Sequence, residues 1–251
     1  MKLVKYFLIA ATIYLVWQRP FVPIHFEKTK VTLPEHVSQQ LGTQAGKALH
    51  GIDISHFQGA VNFNSVAESG IKFVYLKATQ GTDFVDPTYQ DRISALQQLN
   101  SNNKQLKKEP LLHGAYHFYQ PAQDPVAQAQ FFLKQVQNHK HSLPPMLDVE
   151  ISQGTKPEEI QKGVTAWLAY VQQALNCKPI LYSYGDFWTE NLGAEFNSFP
   201  FWLADYAPHP SVPKGLLNWR LWQYQDKGRV PGIESTVDLD VLLSGEIGCH
   251  V

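Results

Sequence analysis

Cysteine is nearly absent from this chain: Cys177 and Cys249 are the two present among 251 residues. A disulfide framework therefore cannot hold the fold together. One bridge at most could form, given an oxidising compartment. Charge of one sign is lacking too. The 21 Lys and Arg nearly balance the 22 Asp and Glu, for a net charge of −1. There is no positive field to gather nucleic acid and no acidic tail. Several catalytic signatures are missing as well. The sequence holds no G-x-S-x-G nucleophile elbow, no phosphate-binding loop and no dinucleotide fingerprint. No cofactor is implied. Internal repeats and low-complexity stretches are also absent. An apolar share of 44% against a charged share of 17% places the chain among globular proteins.

The N-terminus is the first feature present. Lys2 and Lys5 make a basic start, and Tyr6 to Trp17 is an uncharged, mostly apolar run of twelve residues. That is short of the roughly 20 residues a membrane span needs, and it suits a signal-peptide core. No small-x-small cleavage site follows Trp17. Residues 1–17 are thus read as a signal peptide or an N-terminal membrane anchor, with attachment through residues 6–17. Either reading implies export: secreted, periplasmic, or anchored to the outer face of the inner membrane. Residues 18–46 contain Pro20, Pro23 and Pro34 and show no sustained period. They read as a linker, leaving 47–251 as the folded domain. A Cys177–Cys249 bridge would clip the C-terminal tail to that domain.

Within it, short β-branched and aromatic runs alternate with helical patterns. The expected strands are His50–Ile54, Lys72–Lys77, Leu111–Phe118, Pro145–Val149, Pro179–Ser183, Phe201–Asp205, Trp219–Tyr224 and Ser235–Leu239. Asp86-Pro87 and Asp124-Pro125 offer helix starts, with Asp as the cap and Pro at the first helical position. Gly70 suits the end of a short first helix. Ile160, Val164, Trp167, Leu168, Val171 and Leu175 recur every three or four residues, as on one face of a helix. Strand–helix alternation implies parallel strands with crossover helices. Eight strands suggest a closed α/β barrel. The link Tyr206 to Asn218 carries Pro208, Pro210 and Pro213. The expectation is an irregular barrel with an incomplete outer ring of helices.

In such barrels the site lies at the C-terminal strand ends. Asp148-Val149-Glu150 follows the apolar run Pro144-Pro145-Met146-Leu147. Residues two apart on a strand share a face, about 6.6–6.8 Å apart. Two carboxyls so placed repel, and at least one should hold its proton toward neutral pH, as a general acid must. Asp53 and Asp238 stand at other strand ends between apolar neighbours. Each either caps a backbone turn or lines the same cleft. Asp53, His56, His113 and His117 allow a rival metal site. However, His113 and His117 fall on a strand, where four residues span about 13 Å.

Eight motifs in order cover Gly51 to about Leu242: Gly51-Ile52-Asp53-Ile54-Ser55-His56-Phe57-Gln58-Gly59, Phe73-Val74-Tyr75-Leu76-Lys77-Ala78-Thr79-Gln80-Gly81, Gly114-Ala115-Tyr116-His117-Phe118, Leu147-Asp148-Val149-Glu150, Tyr182, Phe201-Trp202-Leu203-Ala204-Asp205-Tyr206, Trp222-Gln223-Tyr224, and Gly232-Ile233 before Val237-Asp238-Leu239-Asp240. Together they resemble glycoside hydrolase family 25, the Chalaropsis-type lysozymes. The resemblance implies an irregular barrel and a muramidase, and the chain is expected to be a monomer. Its substrate would be the β-1,4 link between N-acetylmuramic acid and N-acetylglucosamine in peptidoglycan glycan strands. It implies Glu150 as general acid, Asp148 as the partner of the substrate's acetamido group, and Asp53 and Asp238 as residues that stabilise developing positive charge, hold sugar hydroxyls or keep the Glu150 pKa high. Tyr116, Tyr182, Trp202, Tyr206 and Trp222 would shape the sugar groove, and Lys77 would pair with a carboxylate. Where the family usually has Asn, this chain has Asp240. Two other readings stay open: a non-catalytic peptidoglycan-binding module on the same fold, and a metal-dependent polysaccharide deacetylase.

Overall fold

The computed structural model describes residues 30–243 and 247. All eight expected strands are present: β1 (Leu49–Ile54), β2 (Phe73–Gln80), β4 (Leu112–Phe118), β5 (Met146–Asp148), β6 (Ile180–Tyr184), β7 (Phe201–Ala204), β8 (Trp219–Gly228) and β9 (Val237–Leu242). A two-residue strand, β3 (Phe84–Val85), pairs with the end of β2. The β1–β2 pairing closes the order β1-β9-β8-β7-β6-β5-β4-β2 into a barrel. One expectation needs correction. The barrel strands β1, β2 and β4 to β8 are parallel, β9 runs antiparallel to both β8 and β1, and the short β3 is antiparallel to β2. The link from Arg229 to Thr236 is a turn, not a helix. So short a link permits an antiparallel return but not a parallel crossover.

Helices α2 (Phe63–Glu68), α3 (Tyr89–Gln105), α4 (Pro125–Val136), α5 (Pro157–Leu175) and α6 (Gly185–Asn191) follow individual strands. The Tyr206–Asn218 link carries no helix, so the outer ring is incomplete. Helix α5 buries the expected stripe of Ile160, Val164, Trp167, Leu168 and Val171 against the barrel. Asp124 caps α4 by accepting from the Ala127 N–H at 2.7 Å. Gly70, with φ of +104°, ends the turn after α2. Asp86 does not cap a helix as expected. It accepts from Thr88 and from His56 instead.

Alternation along the strands sorts side chains into an outer core beneath the helices and an inner core within the barrel. Phe73, Tyr75, Met146, Ile180, Trp202, Leu221 and Leu242 fill the interior. Two motif glycines make room for the largest of these rings. A Cβ on Gly51 would lie 2.1 Å from the Phe73 ring, and one on Gly114 would lie 2.4 Å from the Tyr75 ring.

The stretch read as a linker is more structured than expected from residue 30 onward. Helix α1 (Glu35–Leu41) buries Val37 and Leu41, one turn apart on one face. Before it, the Val31 N–H donates to the Ser69 carbonyl at 2.7 Å. The Val31 carbonyl lies against Gly70, and His50 bonds to the Val31 backbone. Ser69, Gly70 and His50 mark the N-terminal ends of β1 and β2, so this segment closes the bottom of the barrel. Among the described residues no helix is long and apolar enough to cross a membrane. The apolar run 6–17 and Cys249 lie outside the described residues.

Candidate active site

Five carboxyl side chains converge at the C-terminal end of the barrel. Asp53 on β1 and Asp148 on β5 point inward by strand alternation. Val149 continues the extended path, because its N–H donates to the Tyr182 carbonyl at 3.0 Å and its carbonyl accepts from Ser183 Oγ at 2.6 Å. Glu150 therefore follows on the same side as Asp148. The chain then turns sharply through Gln153 and Gly154, both with positive φ, and the Gln153 amide donates to Gln120. From β9, Asp238 and Asp240 face inward, while Val237, Leu239 and Val241 join the outer core.

The first motif is a capped turn that fixes the end of β1. The Ser55 N–H donates to Gln58 Oε1 at 2.8 Å, and Ser55 Oγ accepts from the Phe57 N–H. Buried Arg92 reaches in from α3 and donates to the carbonyls of Ser55 and Gly59, each at 2.7 Å. Asp86 accepts from the His56 N–H at 2.8 Å and pairs with its ring Nδ1 at 2.9 Å.

Burial and mutual repulsion govern the ionisation of the cluster. Burial, then the Glu150 charge, holds the Asp148 carboxyl well above the usual carboxylate range. The Asp148–Glu150 pair thus holds a proton toward neutral pH. Burial raises Asp53 to about 6, against a stabilising hydrogen bond from Gln223. Burial, then the charges of Asp53, Asp226 and Glu150, raises Asp238 to about 8. Asp240 is completely buried and is pushed well above its ordinary value, first by burial and then by Asp53 and Asp238. Lys77 is lowered by burial, while Asp148, Asp86 and Glu150 act to hold its charge.

The expected groove residues divide in two. Tyr116 and Tyr182 face inward beside the carboxyls, and Tyr206 is half exposed above them. Trp202 and Trp222 do not offer faces to a sugar, because neither has exposed surface. Trp202 forms the floor, with Tyr75 at 5.0 Å and Tyr182 at 5.8 Å between ring centres. Trp222 points outward from the barrel, and its Nε1–H donates to the Asp205 carbonyl at 2.7 Å. Among the described residues Lys77 makes no carboxylate pair. Its Nζ donates to Gln80 Oε1 at 2.7 Å and lies over the Phe118 ring at 4.8 Å.

The histidines do not gather around Asp53. His113 and His117 both face outward from β4. The His117 Nε2–H donates to Gln128 Oε1 at 3.1 Å, its Nδ1 accepts from Thr79 Oγ1 at 2.7 Å, and its ring stacks on Trp167. His113 packs against the Lys140 and Leu111 carbonyls. Among the described residues no three His, Cys, Asp or Glu are arranged to hold a metal ion.

Gln223 is the central residue not singled out from the sequence. Its Nε2–H donates to Asp53 Oδ2 at 2.7 Å, while its Oε1 accepts from Tyr182 at 2.9 Å and from Tyr206 at 2.7 Å. It stands in the motif Trp222-Gln223-Tyr224, and outward-facing neighbours on both sides imply its inward direction. An aromatic ledge of His56, Phe57 and Phe84 also borders this end of the barrel. A hollow of about 530 Å³ beside Gln130 and Tyr170 lies between α4 and α5, outside the barrel. It holds none of this chemistry.

The sequence model described as glycosyl hydrolases family 25 matches residues 52–233, which include strands β2 to β8 and the carboxyls of Asp53, Asp148 and Glu150. The uncharacterized protein YegX of Escherichia coli K12 is 36% identical over 203 residues, covering 78% of this chain and 70% of its own. Lysozyme M1 of Streptomyces globisporus is 30% identical over 213 residues, covering 79% of this chain and 69% of its own. The crystal structure of the bacterial lysozyme from Streptomyces coelicolor superposes with a TM-score of 0.65 at 28% identity, covering 78% of this chain and 92% of that one.

Proposed function

This chain belongs to glycosyl hydrolase family 25, and on that premise we propose that it is an N-acetylmuramidase with Glu150 as its general acid. The bond cleaved is the β-1,4 link between N-acetylmuramic acid and N-acetylglucosamine in peptidoglycan. One observation carries the assignment of the acid. Glu150 follows the buried Asp148 on the same inner side of the barrel end and is itself partly exposed, so it is the member of the pair that a substrate can reach.

The Asp148–Glu150 pair retains a proton toward neutral pH, which is what acid catalysis requires. In the proposed reaction Glu150 gives a proton to the glycosidic oxygen as the C1–O bond breaks. The acetamido carbonyl oxygen of the substrate bonds to C1, with Asp148 orienting and polarising that group. Glu150, now a carboxylate, takes a proton from water as the water oxygen bonds to C1 and the acetamido group is released. In this reading Asp53 is the carboxylate that stabilises the cationic stage, and Asp238, which keeps its proton up to about 8, holds a sugar hydroxyl. Tyr116, Tyr182 and Tyr206 line the sugar path. Peptidoglycan lies outside the cytoplasmic membrane, so this reading goes with export, which the N-terminal segment is proposed to direct.

Digestion of purified peptidoglycan, with the new ends identified by mass spectrometry, tests the reading. Wild type should release reducing N-acetylmuramic acid ends, and Glu150→Gln should slow release by about 10²- to 10⁴-fold. Equal release by the variant overturns the assignment of Glu150. Firm binding without new ends would identify a glycan-binding module instead.

A further inference from the structure

Two carboxyls in the cluster are buried side by side. Asp53 and Asp240 face one another, short of the alignment of a well-formed hydrogen bond. The Trp202 indole N–H faces Asp240, likewise out of line. The register explains the encounter. Asp240 lies opposite Gly51 on β1 and opposite Gln223 on β8, so no side chain from Gly51 separates it from Asp53, two residues further along the same inner face. Two adjacent buried carboxyls cannot both be charged without a cation between them. The groups that act on Asp240 are Asp53 and Asp238, and Tyr224 on β8 feels it in turn. None is a cation.

The direction of Gln223 decides which of the two carries the proton. Its oxygen accepts from Tyr182 and Tyr206, so its N–H must point to Asp53. Asp53 therefore has a donor suited to its anion. Asp240 makes no well-formed hydrogen bond through either oxygen, and the facing Trp202 N–H is too weak a donor to offset its burial. We propose that Asp240 is a positioning residue: a neutral carboxylic acid whose O–H points to Asp53 and keeps that side chain a carboxylate facing the cleft. The catalytic consequence rests on the muramidase reading, while the protonation state stands apart from it.

Carbon-13 labelling of aspartate and titration of the carboxyl resonances in the full chain tests this without an activity assay. Asp240 should read as a protonated acid throughout the range in which Asp53 titrates. Asp240→Ala removes the donor, and the Asp53 midpoint should rise by about one pH unit. Asp240→Asn supplies an uncharged N–H of similar shape and should leave the Asp53 midpoint near its wild-type value. An Asp240 resonance that reads as carboxylate at neutral pH overturns the proposal. So does an Asp53 midpoint displaced as far by Asp240→Asn as by Asp240→Ala. If Asp240→Ala fails to fold, the wild-type and Asp240→Asn titrations decide alone. Failure of the muramidase reading would leave these titrations unchanged.

Discussion

Gln223 uses both ends of its amide, and no other residue in the cluster joins as many partners. Asp53 on β1, Tyr182 on β6 and Tyr206 above β7 meet on it. Gln223→Leu removes the N–H that favours the Asp53 anion, so Asp53 should titrate above its native value of about 6. If the reaction needs Asp53 ionised, the acid limb of kcat/KM against pH moves upward, with about tenfold loss or more at pH 6. Tyr206→Phe removes one of two phenol donors and should cost less. Both profiles can be measured on soluble glycan fragments. The carboxyls of this site were legible because Asp53, Asp148 and Glu150 end or follow an apolar run and Asp238 stands between Val237 and Leu239. Gln223 was not, since a neutral amide in sequence looks the same in a site or in solvent. Trp202 and Trp222 were misplaced for a different reason. Strand alternation turns Trp222 away from the barrel, and depth rather than direction hides Trp202.

Elements of this barrel depend on a few positions where no other residue fits. Gly51 and Gly114 are inward positions facing Phe73 and Tyr75, with no room for a methyl group. Gly114→Ala should destabilise by about 1–3 kcal/mol, because the Tyr75 ring must leave its packed position. Tyr75 is also tied by its O–H to the Pro144 carbonyl at 3.0 Å. Removing the cap of α4 with Asp124→Ala should cost about 1 kcal/mol. Denaturant unfolding measures both, and Asp124→Ala should keep its activity per folded molecule. All eight barrel strands could be read from apolar runs and their punctuation. The antiparallel return of β9 could not, since periodicity carries no strand direction. Helix α1 escaped notice because Val37 and Leu41 give a single turn of pattern. Strand β3 was missed because two residues are too few to show alternation.

Across the whole molecule, buried histidines and buried acids pull stability in opposite directions with pH. Burial lowers His50 and His117 to about 4, and His141 to about 3, from an ordinary 6.5. The unfolded chain takes up these protons first, so stability falls as pH drops below 6.5. The site acids are raised, so the folded chain keeps protons that the unfolded chain releases near 3.8. Their contribution is complete below that value and is lost as pH rises, up to about 8 for Asp238. The two effects offset one another between about 4 and 6.5. Above 6.5 the acids act alone, and stability should decline toward pH 8. Asp238→Asn should flatten that decline and unfold at a higher temperature than wild type at pH 8, as thermal scans across pH can establish. An unchanged slope would show that Asp238 is not a source of the decline. Distance also matters at this scale. Residue 30 joins the body at the N-terminal ends of β1 and β2, on the side away from every carboxyl of the cluster. An attachment upstream of it would moor the barrel by its back. The open groove would then look outward from the mooring surface, and the length of the leash would set how far into a surrounding mesh the groove could work.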